Sequence, residues 1–309
     1  MTTKEAEYYR RIYLRLNENI PQKLTLNMNV KGAGDTILQS SLFDVPSNIG
    51  IIIIPGLTVP RESYFKLLHS FSHYKTLLFD LRGQADSEGE VDYDKCVADI
   101  NIIGNWFKNK YKLKYLIGVG HSFGGLCLLK ASMDRKHAYD LRISLAPPFD
   151  MSHTTSGVPK YFTKLFIYLY NSTHWLTNKP YRDEIFQHKQ SYKPHEFVKN
   201  PYVGALKLNG HNVMSRIITM TPKLADFISD IALPSYLIYG NNDKRIGGEE
   251  YFKEQYEILN VAARNRGFDL CLMHGLSHRF NLEPEKEFVL SYNNNEVIRK
   301  INSIIERHK

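Results

Sequence analysis

The sequence predicts an α/β fold, a mostly parallel sheet with helices on both faces and one inserted helical segment. Three observations carry this reading. First, the runs Ile51 to Ile54, Thr76 to Phe79, Tyr115 to Val119, Arg142 to Leu145, Tyr236 to Tyr239 and Asp269 to Met273 are largely continuous aliphatic stretches, the pattern of strands buried on both faces. Second, segments with apolar residues at helical spacing lie between them. Third, a chain of 309 residues, 43% hydrophobic and 23% charged, has the size and profile of a globular α/β core carrying an insertion.

Taken in order, Tyr8 to Leu16 is a short helix candidate, with Tyr9, Ile12, Tyr13 and Leu16 on one side. Leu24, Leu26, Met28 and Val30 then alternate with polar residues, Lys31 to Asp35 supply turn chemistry, and a second extended run reaches Phe43, so a hairpin is expected. Cys96, Ile100, Ile103 and Phe107 mark one helix, and Val297, Ile301 and Ile304 another, which Asn294 or Asn295 can cap. From Pro148 to Ala232 two strands are separated by far more chain than a crossover needs, which reads as an inserted cap. Its clearest element is Tyr161 to Tyr170, where Phe162, Leu165, Phe166 and Leu169 form an apolar face that packs on the core or lines a tunnel. The expected domains are therefore 1–148 (first part of the core), 149–232 (cap) and 233–309 (second part of the core).

Composition narrows the function. The three cysteines, Cys96, Cys127 and Cys271, have no Cys-x-x-Cys spacing and lie in apolar segments, so they read as buried reduced thiols. Residues 1–15 lack the apolar stretch of a secretory signal, and Ile49 to Ile54 is far too short to span a membrane, so a cytoplasmic location is expected. The net charge of +8 is dispersed, without an Arg-dense helix or an aromatic RNA-binding strand, so nucleic acid is not expected as a partner. Transient contact with an anionic membrane surface remains compatible with it. His69 and His73 have metal-ligand spacing, but Ser70 follows His69 where the zinc-protease motif requires Glu.

The stretch Gly120-His121-Ser122-Phe123-Gly124 joins the strand Tyr115 to Val119 to an apolar helical segment. Small residues two before and two after Ser122 allow a sharp, strained turn that lifts the hydroxyl clear of the backbone. A dinucleotide-binding loop is the rival, but Phe123 occupies the position of its third glycine. A nucleophilic serine needs a base and the base an orienting acid. Asp243 follows the strand Tyr236 to Tyr239, and His278 lies in the loop after Asp269 to Met273, giving the order Ser, Asp, His. His274 is assigned to the strand itself and His278, with the longer reach, is preferred as base. Asp150 is the reserve acid. Oxyanion donors are expected from the amides of Phe123, next to the serine, and of Leu57, in the Pro55-Gly56-Leu57-Thr58 turn.

These motifs resemble the α/β-hydrolase superfamily, especially capped serine esterases of the monoacylglycerol lipase and proline-iminopeptidase type, over nearly the whole chain. Asp80-Leu81-Arg82-Gly83 with Ser87 is similar to the family's turn after its fourth strand. Pro55-Gly56 and Gln84-Ala85 stand where the family usually has His-Gly. The resemblance implies a cofactor-free serine esterase working through an acyl-enzyme but carries over no substrate; the aromatic cap points to a small-molecule ester or thioester with an apolar acyl or aryl group, with monoacylglycerol-like lipids among the candidates. Amide, peptide or thioester cleavage uses the same triad, and a ligand-binding receptor could retain it. Oligomeric state is not encoded in any motif.

Overall fold

The computed structural model describes residues 24–151, 217 and 220–280, apart from 58, 60, 86, 244, 245, 247 and 279, together with 296–309. The helix expected over Tyr8 to Leu16, the cap helix over Tyr161 to Tyr170 and the capping candidates Asn294 and Asn295 lie outside these residues.

Eight strands among the described residues form one sheet: β1 (Leu24–Lys31), β2 (Ile37–Phe43), β3 (Ile49–Ile54), β4 (Lys75–Phe79), β5 (Tyr115–His121), β6 (Leu141–Leu145), β7 (Ser235–Gly240) and β8 (Asp269–Met273). Their order is β1-β2-β4-β3-β5-β6-β7-β8. The expected hairpin is β1 paired antiparallel with β2; β2 joins β4 antiparallel, and every pairing from β4 through β8 is parallel. Ile51 to Ile54, Leu77 to Phe79, Leu116, Ile117, Ile143 and Leu237 to Tyr239 are all essentially inaccessible, which is why these strands read as unbroken apolar runs rather than alternating ones. Parallel pairing brings the carboxyl ends of β3, β5, β7 and β8 to the same edge, and the loops expected to carry the site leave from there.

Helix α1 (Phe65–Ser70) precedes β4, and α2 (Tyr93–Lys110) precedes β5. In α2 the Asp92 carboxylate accepts the Lys95 amide proton at 3.0 Å, capping the start, while Lys108 and Lys110 face the negative end of the dipole. Its four residues at helical spacing, Cys96, Ile100, Ile103 and Phe107, are fully buried as expected. Helix α3 (Phe123–Ala131) follows the serine, α4 (Glu249–Arg266) lies between β7 and β8, and α5 (Glu296–His308) closes the described chain with Val297, Ile301 and Ile304 buried. Cys96 and Cys127 are buried free thiols, but Cys271 is only half-buried, because β8, outermost among the described strands, has a described neighbour on one side alone.

A buried ion pair fixes the hairpin to this frame. The Arg82 guanidinium donates to Asp99 of α2 through Nε at 2.7 Å and Nη2 at 2.6 Å, and to the Ala33 carbonyl at 3.0 Å. Asp99 in turn accepts the Ala33 amide proton at 2.7 Å. Among the described residues, no helix is long and apolar enough to cross a membrane.

Candidate active site

Ser122 sits between β5 and α3 with φ 51° and ψ −124°, a left-handed backbone that a non-glycine residue adopts only when its surroundings enforce it. The enforcement is visible. Its N–H donates to the Leu145 carbonyl at 2.7 Å, and its carbonyl accepts from the Leu126 amide at 3.0 Å. The flanking glycines permit backbone to touch backbone: a Cβ on Gly120 would come within 2.6 Å of Gly125 Cα, and one on Gly124 within 2.2 Å of the Pro55 carbonyl oxygen. Gly124→Ala is therefore expected to destabilise the fold by about 2 to 3 kcal/mol, the upper range for overpacking a site that cannot yield. Urea unfolding of the two proteins side by side checks this, and equal midpoints would contradict the close approach.

Two later loops bring the partners. His278 Nε2 lies 2.9 Å from Ser122 Oγ, and His278 Nδ1 lies 2.7 Å from Asp243 Oδ2. The carboxylate can only accept, so Nδ1 carries the ring proton and Nε2 is left to accept from the serine hydroxyl. Asp243 and His278 are 5% and 8% exposed, so the chain of hydrogen bonds is largely withdrawn from water, whereas Ser122 is half-buried at its open end. The loops are joined to each other. Asn241 N–H donates to Met273 and Asn242 N–H to Leu276, both at 3.0 Å, and Gly275 N–H donates to Asn241 Oδ1 at 2.7 Å. Burial pushes the phenol of Tyr239, at the end of β7, well above its ordinary range, and the nearby Asp243 carboxylate adds to this.

The alternatives from the sequence fall elsewhere. His274 lies one residue beyond the end of β8 rather than in it, is exposed, and has Asn241 Nδ2 at 3.3 Å. The strand stops at Met273 because the chain turns there to meet the loop after β7. Asp150 is 6% exposed and has Lys223 Nζ at 3.7 Å. Tyr251 beside it is pushed up to about 12 by burial and by the Asp150 carboxylate.

Leu57 and Phe123 are the expected oxyanion donors. Phe123 is the first residue of α3, where an amide has no partner within the helix. Leu57 follows Gly56, whose missing side chain puts the loop against the nucleophile: a Cβ there would lie 3.2 Å from Ser122 Cβ. The Gly56 amide itself is engaged by Tyr64 Oη at 3.1 Å, so Leu57 carries the next amide in the turn. At the far end of this loop Arg61 is fully buried. Its N–H donates to Asp80 Oδ1 at 2.8 Å, its Nε to Ser41 Oγ at 3.0 Å, and its Nη1 to Asp80 Oδ2. Neither Arg61, Tyr64 nor His121 was marked by any sequence pattern; their partners are brought to them only by the fold. Among the described residues, no group of three or more His, Cys, Asp or Glu side chains is placed to hold a metal ion.

A model of the serine aminopeptidase S33 family matches residues 49–285. The chain belongs to this family of α/β-hydrolases. The S33 match begins at the first residue of β3 and includes Leu57, Ser122, Phe123, Asp243 and His278. Solved structures share the S33 chain's fold at low identity. The Pyrococcus furiosus esterase Pf2001 is 18% identical with a TM-score of 0.60, covering 94% of this chain and 93% of that one. A thermophilic esterase from Thermogutta terrifontis is 12% identical with a TM-score of 0.61, covering 92% and 100%. The α/β hydrolase GrgF from Penicillium sp. sh18 is 17% identical with a TM-score of 0.63, covering 92% and 98%. No curated protein matches the S33 chain in sequence. Ala85, standing where the resemblance leads one to expect glycine, takes φ 45°, a backbone that glycine would adopt without strain.

Proposed function

We propose that this family member is a serine hydrolase of carboxylic esters, with Ser122 as nucleophile, His278 as general base and Asp243 as the acid that orients it. The observation that carries the proposal is the unbroken hydrogen-bond chain from Ser122 Oγ through His278 to Asp243, held on a strained turn. In the first half-reaction Ser122 Oγ attacks the ester carbonyl while its proton passes to His278 Nε2. The imidazolium so formed is stabilised by Asp243, and the tetrahedral oxyanion is received by the amides of Leu57 and Phe123. Collapse breaks the bond to the alcohol, which leaves with the proton from His278, and an acyl-serine remains. In the second half-reaction His278 takes a proton from water, the hydroxide attacks the acyl carbon, and the acid departs as Ser122 regains its proton. No cofactor enters this cycle.

Residues 149–232 are proposed as the cap that sits over Ser122 and selects an apolar acyl or aryl group, on the grounds of their aromatic content and their place between β6 and β7. The core would then be the two segments that flank it, 1–148 and 233–309. Transient contact with an anionic membrane surface is part of the same reading, from the charge of +8. The family description favours one second reading, release of an amino acid from an amide or peptide. Labelling by a fluorophosphonate followed by a chain-length series of p-nitrophenyl esters and a set of aminoacyl aryl amides separates these. Ester turnover that rises with acyl length and vanishes in Ser122→Ala supports the esterase; preference for the amides overturns it. Labelling without turnover of either set points to a ligand-binding protein that keeps the triad.

A further inference from the structure

His121 stands immediately before the serine, and both nitrogens of its ring are engaged. Nε2 lies 2.9 Å from the backbone carbonyl of His278, a group that can only accept, so this nitrogen carries the proton. Nδ1 is left as an acceptor and lies 2.6 Å from Tyr64 Oη. The same hydroxyl accepts the Gly56 amide proton at 3.1 Å. One imidazole and one phenol thus connect three pieces of backbone that are far apart in sequence: the turn carrying Leu57, the residue before Ser122, and the residue whose imidazole meets Ser122.

Each contact has a consequence at the reacting atoms. The Leu57 amide belongs to the peptide that follows Gly56, whose carbonyl accepts the Val59 amide proton at 3.3 Å; the Tyr64 hydroxyl fixes the peptide that precedes Gly56, so the glycine is held from both sides. Pro55 contributes neither an N–H nor a polar side chain to this turn, and the Tyr64 hydroxyl is one of the groups that anchor it. On the other side, anchoring the His278 carbonyl limits rotation of the residue about its own backbone, and with it the reach of Nε2 toward Oγ. Tyr64 and His121 are 3% and 6% exposed, so water cannot readily replace either contact if it is lost.

We propose that Tyr64 and His121 are positioning residues for the reaction at Ser122. Through them the oxyanion-binding turn and the base loop are held at a fixed separation on either side of the nucleophile. The His121 ring also packs beside that of His278, centroids 5.1 Å apart, and the inference rests on the reading of Ser122, His278 and Leu57 given above.

Tyr64→Phe tests it with little disturbance, since the ring and its tilted contact with His121, centroids 5.7 Å apart, are kept and only the hydroxyl goes. Turnover of a p-nitrophenyl ester is measured per site titrated with the fluorophosphonate, so that misfolded protein does not count. The expected result is a kcat roughly 10- to 100-fold lower with KM unchanged, between the effect of a small misplacement and that of losing an oxyanion donor outright. Binding of a trifluoromethyl ketone, which forms a tetrahedral adduct with the serine, should weaken by the same factor. His121→Gln, which keeps a donor near the position of Nε2 but offers Tyr64 no acceptor at Nδ1, should fall in the same range, and the double variant should be no worse than the poorer single one.

A Tyr64→Phe protein with wild-type kcat per titrated site overturns the proposal. So does a loss confined to thermal stability or to the fraction of sites that titrate, because that is what a purely structural role would give. Ser122→Ala, run beside it, tells the two levels apart. If Ser122→Ala abolishes turnover while Tyr64→Phe leaves it intact, the positioning role alone fails; if Ser122→Ala turns over like wild type, the assignment of the nucleophile fails and the positioning role with it.

Discussion

Ser122→Ala is expected to lower kcat for ester hydrolysis by roughly a million-fold, leaving only the rate that the oxyanion donors and binding supply without a nucleophile. The fold should be unaffected, because alanine accepts the backbone of this turn no less well than serine and the elbow is held by main-chain bonds to Leu145 and Leu126. The informative comparison is with His278→Ala and with the double variant. Ser122 and His278 act on one proton, so each single change should cost nearly as much as both together, and the double variant should not multiply the losses. Stopped assays with purified protein, corrected for background hydrolysis, give the three numbers. Additive losses would mean that the 2.9 Å contact between Oγ and Nε2 is not the one through which the proton moves.

Arg61→Ala is expected to be the most damaging change to stability, at about 3 to 5 kcal/mol, because it strands the Asp80 carboxylate in a fully buried position. Burial already holds Asp80 above the usual carboxylate range, against the pull of the Arg61 guanidinium. Replacing both partners by apolar residues, Arg61→Met with Asp80→Leu, should recover most of the lost stability, since no unpaired charge then remains. It should not recover turnover, because the Asp80 carboxylate also receives the Arg61 amide and so ends the turn that carries Leu57. Denaturant midpoints and kcat measured on the same three proteins distinguish the two roles. If turnover returned along with stability, Asp80 would be a structural element only.

How much could be read beforehand depended on how local each constraint is. The elbow is legible because sterics at one turn demand small residues at Gly120 and Gly124, two positions on either side of Ser122. Asp243 and His278 are legible because the parallel sheet delivers each strand's end to the same edge, so a strand followed by Asp or His already says where that side chain goes. Tyr64 and His121 are not, since their contact spans 57 residues and that between His121 and His278 spans 157, and nothing in either neighbourhood encodes the meeting. Helix α4 is not legible for a different reason: only Phe252, Leu259 and Ala263 are buried, so the apolar stripe is too thin to stand out among its charges. The sequence pattern carries β8 one residue too far, through His274, because a strand's end is set by what the chain meets next rather than by its own pattern.

The sheet order has a thermal consequence. Among the described residues β8 is the outermost strand, paired with β7 alone; Asp269 is exposed, and Leu270, Cys271 and Leu272 are only half-buried. It is also the strand whose end carries His278. Opening of a sheet begins where the least surface is hidden, so the base rests on the part of the core that can come loose while the centre remains intact. On slow heating, ester turnover is expected to vanish at a lower temperature than the far-ultraviolet dichroism, and to return on cooling from that interval. Coincident curves would mean that β8 melts with the rest. The nucleophile, fixed at the middle of the sheet, would outlast its own catalyst.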